Sequence, residues 1–275
     1  MKEENVKKIV RKRYAKAAKT KGSGCGCAPT TSCCSAPTDE QVSKIIGYSE
    51  AEMNAVPEGA NLGLGCGNPT ALASLKEGER VLDLGSGGGF DAFLAVKKVG
   101  KSGKVIGVDM TPEMLDKARA NAKKGKYTNV EFRLGEIENL PVADKSVDVI
   151  ISNCVINLSP DKKRVFEEAY RVLAPNGRLM VSDIVLLKPL PEAIQKSAEA
   201  YTSCVAGAEI KDKYLGLMRD AGFKDVKVLS EKNYPLEFII SEPEVNKVLS
   251  TLDISGEQLD ETANSIVSIS VSASK

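Results

Sequence analysis

Five short apolar runs, at residues 79–84, 104–109, 130–135, 147–152 and 177–184, alternate with helix-like stretches at 89–99, 112–124 and 161–173. Runs this short and this uniformly apolar read as strands buried on both faces, and strands separated by helices pair in parallel. The alternation predicts an α/β fold: a Rossmann-like, mostly parallel sheet with helices on both faces. The helices carry start signals of their own. Thr111 stands as N-cap before Pro112, and Ser159-Pro160-Asp161 repeats the signal for the third.

Outside this block the pattern is looser. Residues 3–20 read as an amphipathic helix with Val6, Ile9, Val10, Tyr14 and Ala17 at helical spacing. Residues 1–21 carry nine Lys/Arg against two Glu, a face expected to be solvated, with an acidic partner as the weaker alternative. Residues 21–37 form a small, polar, cysteine-rich linker; 38–56 are expected helical; 59–69 form a glycine-rich loop. Beyond 186, helices near 190–204 and 211–221, a strand at 225–231, a mixed polar stretch at 241–262 and a final exposed or edge strand at 266–273 make a smaller α+β region. The expected divisions are 1–37, 38–186 and 187–275.

The net charge of +1 argues against a nucleic-acid binder, and no apolar run reaches membrane-spanning length. Seven cysteines cannot all pair within one chain, and 275 residues need no disulfide staples, so a reducing cytoplasm is expected. The chain has no histidine, so its chemistry uses no imidazole base.

Val81 to Gly89 reads Val-Leu-Asp-Leu-Gly-Ser-Gly-Gly-Gly and joins an apolar strand to a helix. Asp83, Gly85, Ser86, Gly87 and Gly89 form a run whose backbone can pass close to a nucleotide. A dinucleotide fingerprint would require glycine at 90, where Phe90 stands, which disfavours NAD. Asp109, next to Met110, ends the second strand and is suited to accept ribose hydroxyls; Glu136-Ile137 follows the third, where a polar group is suited to an adenine amino group. A purely structural glycine loop is the alternative. Asn153 and Cys154 follow the fourth strand. Cys66 sits between Gly65 and Gly67, and Cys204 follows a helix. Cys154 alone is equally readable as a small buried core residue; Cys66, between glycines, has little apolar company for that reading, and Cys204 could pack anywhere.

Across roughly 75–185 these residues resemble the class I S-adenosylmethionine-dependent methyltransferases. That likeness implies a seven-stranded sheet, with S-adenosylmethionine at the carboxyl ends of its strands and Asn153 and Cys154 beside the transferred methyl. Gly63-Leu-Gly-Cys-Gly-Asn-Pro69, Ser152-Asn-Cys-Val-Ile-Asn-Leu158 and Ser203-Cys-Val-Ala-Gly-Ala208 are similar to the three cysteine segments of arsenite methyltransferases. The resemblance implies that Cys66, Cys154 and Cys204 hold trivalent arsenic, presented as arsenite or a thiolated form, for detoxification. It also implies that Cys33-Cys34 matches the family's N-terminal pair, one member of which relays electrons from thioredoxin or a small thiol. Cys25 and Cys27 are additional to that pattern; read without the resemblance, the cluster Cys25, Cys27, Cys33 and Cys34 suits a soft metal or an arsenical, or else belongs to a flexible, oxidation-prone tail. Two other classes remain: a methyltransferase acting on oxygen, nitrogen or carbon, indifferent to Cys66, and a non-catalytic metal-binding protein that binds no cofactor.

Overall fold

The computed structural model describes residues 3–19, 38–191, 201, 204–234 and 261–275. Cys25, Cys27, Cys33 and Cys34, most of the helix expected at 190–204, and most of the stretch at 241–262 lie outside the described residues.

One sheet organises the molecule. Its path runs β3 (Val130–Leu134), β2 (Lys104–Asp109), β1 (Arg80–Leu84), β4 (Val147–Asn153), β5 (Leu173–Leu186), β8 (Ile266–Ser274) and β7 (Lys224–Asn233), and the two-residue β6 (Glu209–Ile210) also pairs with β5. The first five strands are parallel; β8 runs antiparallel to both β5 and β7. Seven strands on the main path match the expected sheet.

Both faces are buried, as the continuous apolar strands require. Leu82, Leu84, Ile106 and Ile150 point into one core with Phe166 and Val172 of α7 (Lys162–Val172) and Tyr214 and Met218 of α8 (Lys211–Asp220). Val81, Val105, Val149 and Ile151, one residue out of phase, point into the other with Phe93 of α5 (Phe90–Val99) and Leu115 of α6 (Pro112–Lys124). Thr111 caps α6 by backbone position, without a side-chain bond, and Pro112 opens it. Asp161 caps α7 through Arg164 N.

Three expectations are corrected. The last strand is not at an edge: β8 lies between β5 and β7, and β7 is the edge. Its serines suggested a wet face, but Ser270 meets Ser182 at 3.2 Å and Ser268 donates to the Cys66 carbonyl at 2.7 Å. The stretch 38–56 is two short helices, α2 (Asp39–Ile45) and α3 (Glu50–Asn54), each closed by a capping box and parted at Gly47, where φ is +110°. The basic face of α1 (Glu3–Lys19) is not merely solvated. Lys7 pairs with Glu136 and Glu138, Arg11 with Glu136, and Lys19 with Glu113, while Val6 and Val10 are buried.

In strand order 3-2-1-4-5 the strand succession reverses between the parallel neighbours β1 and β4, and α/β sheets open a crevice at the carboxyl ends of such a pair. The glycine loop leaves β1 and Cys154 leaves β4 at that point.

Candidate active site

A cavity of about 1080 Å³, including its open mouth, occupies the crevice. Its floor is the glycine loop, where Gly85, Gly87 and Gly89 all have positive φ. At Gly85 no side chain fits, because a Cβ would collide with Val155. Asp109 links loop and sheet: its Oδ2 accepts Gly87 N at 3.0 Å and its Oδ1 accepts Thr111 N at 2.8 Å. Met110 and Ile137 also face the cavity.

Beneath the loop lie two buried carboxylates. Asp91 accepts from Tyr48 Oη at 2.7 Å, Thr70 Oγ1 at 2.9 Å and Asn153 Nδ2 at 3.1 Å. Burial raises its pKa, and these three donors oppose the rise. Asp83 is pushed well above the usual carboxylate range by burial first, then by the charges of Asp91 and Asp109. Asp83 Oδ2 and Ser86 Oγ are buried with no partner among the described residues. Unpaired polar atoms on a loop that has no side chains in the way fit a polar ligand lying along it. S-adenosylmethionine, with ribose, adenine and amino acid groups to pair, suits that surface; the residues present fit it.

Glu136 does not turn inward. Its carboxylate is 2.7 Å from Lys7 Nζ and is held toward α1, while Glu138, two residues on, faces the cavity and accepts from Ser159 Oγ at 2.7 Å. Asn153 faces the cavity too, but its amide is fully engaged. Oδ1 accepts Cys66 N at 3.0 Å, and Nδ2 donates to Tyr48 Oη and the Gly67 carbonyl, both at 2.9 Å, and to Asp91. This one side chain ties the end of β4 to the Cys66 loop.

The glycines beside Cys66 permit that approach. A Cβ on Gly65 would stand 2.6 Å from Asn153 Nδ2, and one on Gly67 would stand 2.7 Å from Ser182. Cys66 reaches the sheet and its Sγ bonds the Ser182 carbonyl at 3.5 Å; Cys154 N donates to the same carbonyl at 2.8 Å. Cys204 Sγ donates to the Cys154 carbonyl at 3.0 Å. The Cys66 and Cys154 sulfurs lie within 4.8 Å of each other, and Cys204 packs in the same buried cluster. All three cysteines are free and buried. Three segments remote in sequence thus bring three thiols together beside the glycine loop.

The backbone there is strained. Cys154 has φ +58° and Cys204 +67°, which costs a non-glycine residue roughly 1 kcal/mol or more. The thiol pKa values are all raised. At Cys66 the cause is burial; at Cys204 it is the Cys154 thiol and then burial. At Cys154 the Cys204 contact lowers it, but the Cys66 thiol and burial prevail.

Two neighbours of the thiols were not anticipated. Asp183, fully buried on β5, has a carboxylate oxygen within 4.8 Å of Cys66 and Cys154 sulfurs. A carboxylate in an otherwise apolar strand was the available signal. Tyr14 of α1 packs against the cluster that holds Cys204; the amphipathic period marks its apolar face but not this partner, 190 residues away.

A loop of this form at the switch point of such a sheet defines a methyltransferase domain, and the family model described as "Methyltransferase domain" matches residues 75–222. An arsenite methyltransferase of Halobacterium salinarum is 49% identical over 241 residues, covering 86% of this chain and 61% of that protein. One from Aquipseudomonas alcaligenes is 39% identical over 211 residues, covering 74% and 59%. Among solved structures, CrArsM, an arsenic (III) S-adenosylmethionine methyltransferase from Chlamydomonas reinhardtii, matches with a TM-score of 0.64 and 34% identity, over 85% of this chain and 73% of that one. The chain belongs to the arsenite methyltransferase family of class I methyltransferases. It spans about three fifths of the two curated relatives' length. Among the described residues no helix is long and apolar enough to cross a membrane.

Proposed function

We propose that the protein methylates trivalent arsenic held by Cys66, Cys154 and Cys204, using S-adenosylmethionine bound on the glycine loop. The observation that carries this is a cluster of three buried, free thiols, one of which, Cys154, opens on the cavity floored by that loop. Arsenic in this state is soft and exchanges oxygen ligands for sulfur. Arsenite carries three hydroxyls; each leaves as water with one thiol proton, so three As–S bonds form and no outside base is consumed. That suits thiols whose raised pKa values keep them protonated and a chain without histidine. Three sulfurs leave the arsenic lone pair as the nucleophile, and it carries no proton to remove. When bound, S-adenosylmethionine supplies the electrophilic methyl group.

The chain's own residues bind, orient and exclude water. Asp83, Ser86 and Asp109 offer polar groups to the cofactor, together with the Gly85, Gly87 and Gly89 backbone, Met110 and Ile137. Asn153 holds the Cys66 loop against β4. Glu138 takes the adenine-side position first assigned to Glu136. Return of the product to the trivalent state needs two electrons. We assign them to a thiol pair, Cys33 or Cys34 with Cys66, oxidised to a disulfide and reduced in turn by thioredoxin or a small thiol in the cytoplasm. The biological purpose would be detoxification of arsenic.

Purified protein incubated with arsenite, S-adenosylmethionine and reduced thiol should yield methylated arsenicals on arsenic-specific chromatography. Cys66→Ser, Cys154→Ser and Cys204→Ser should each lower the rate at least about a hundredfold while cofactor binding persists. An unaffected Cys66→Ser variant would point instead to a carbon, nitrogen or oxygen acceptor.

A further inference from the structure

We propose that Cys66, Cys154 and Asp183 form a divalent-cation site of zinc type that overlaps the thiol cluster but does not require Cys204. The two sulfurs and a carboxylate oxygen already lie within 4.8 Å of one another. A tetrahedral zinc ion with bonds of about 2.0–2.3 Å needs ligand separations of roughly 3.5–3.8 Å, within reach of small side-chain rotations. Thiolate and carboxylate are both zinc ligand types, and three protein ligands leave a fourth position for a water.

The second observation concerns Asp183 itself. It is fully buried, yet no salt bridge reaches it among the described residues. Lys162, whose charge acts on Asp183, spends its Nζ hydrogen bonds on the carbonyls of Asn157 at 3.4 Å and Ser159 at 3.1 Å. Asp183 Oδ1 accepts from Asn157 Nδ2 at 2.8 Å and Ile184 N at 3.0 Å, so its lone pairs are used. Oδ2 accepts from one side chain among the described residues, Tyr214 Oη at 3.0 Å, and can share its remaining electron density with a cation. A buried carboxylate is costly to charge, and although the Lys162 charge favours it, no salt bridge to it forms among the described residues; a cation beside two ionisable sulfurs offsets the remaining cost. Binding would release the two thiol protons, and the Asp183 proton wherever that carboxyl is protonated, to solvent. The cavity on which Cys154 opens provides the route.

The carboxylate separates the two occupants. Trivalent arsenic prefers a third sulfur to oxygen, whereas zinc accepts either. The cation site requires no arsenic chemistry, so it stands or falls apart from the proposed reaction.

The test is anaerobic titration with Co(II), read by thiolate-to-cobalt charge-transfer absorbance. The parent is the full chain with Cys25, Cys27, Cys33 and Cys34 all changed to Ser, so that only the buried thiols can respond. One equivalent should bind tetrahedrally and be displaced by zinc. Cys204→Ser in this parent should bind as before. Cys66→Ser and Asp183→Asn should weaken binding by more than the roughly 10–100-fold that loss of even an outer-shell partner brings. Absence of the charge-transfer band in the parent overturns the proposal. So does loss in Cys204→Ser equal to that in Cys66→Ser, or unchanged binding in a folded Asp183→Asn. Should Asp183→Asn fail to fold, the contrast between Cys66→Ser and Cys204→Ser decides.

Discussion

Cys66 depends on having no side chain on either flank. Gly65→Ala places a methyl 2.6 Å from the Asn153 amide, and Gly67→Ala places one 2.7 Å from Ser182, so the loop must lift off the sheet. Overpacking of this kind costs about 1–3 kcal/mol. Each variant should therefore lose arsenite binding, measured by direct titration, while its affinity for S-adenosylmethionine changes far less. Asp183 gives a second residue-scale prediction. Burial raises its pKa to about 7, against an unfolded value of ~3.9. The folded state therefore holds the proton over a range where the unfolded state has lost it, and stability falls as pH rises from about 4 to 7. The span of roughly three units corresponds to as much as about 4 kcal/mol. Asp183→Asn should thus gain stability relative to the parent protein between pH 5 and pH 8 in thermal unfolding; a pH-independent difference would contradict the assignment. At this scale the glycine loop and the three cysteine segments were legible in the sequence, because each is a local word. Their convergence was not: Ser182, which receives both the Cys66 thiol and the Cys154 amide, bears no mark in its own neighbourhood.

Among the elements, α1 departs most from its expected role. Its basic residues find their acids on this same chain, after β3 and on α6, and its apolar stripe closes one wall of the cavity through Val10 and Tyr14. The pairs to Glu136 and Glu138 are partly exposed and contribute little each, so the buried Val10 does more to hold the helix down. Val10→Ala should loosen α1 by about 1–2 kcal/mol, seen as faster amide exchange over residues 3–19 and faster dissociation of S-adenosylmethionine. If the cofactor's dissociation rate is unchanged, α1 is not part of its enclosure. The amphipathic period that predicts this helix is the same whether its apolar stripe covers a core or a ligand cavity. Likewise β8 was found by its alternation and misplaced by it, since serines facing a sheet-packed loop alternate just as serines facing water do.

Across the whole molecule, the parallel half of the sheet follows from apolar periodicity and could be drawn from the sequence. The antiparallel half could not, because β8 enters beside β5 from the far end of the chain and precedes β7 in space. Ile269 and Val271 on β8 share one core with Leu82 and Ile150 on the parallel strands. Ile269→Ala should accordingly destabilise the entire domain by about 2–5 kcal/mol in one cooperative transition rather than releasing a C-terminal segment alone. That continuity also carries the site, for Cys66 is braced by β4, β5 and β8 together through Asn153, Ser182 and Ser268. The most direct test of the account is the arsenic X-ray absorption spectrum of the full chain with Cys25, Cys27, Cys33 and Cys34 changed to Ser and one equivalent of arsenite bound. Three sulfur neighbours and no oxygen are predicted, with oxygen entering the first shell in Cys66→Ser, Cys154→Ser or Cys204→Ser. An arsenic atom that keeps oxygen ligands in the parent, or three sulfurs that survive loss of any one of these thiols, would contradict it.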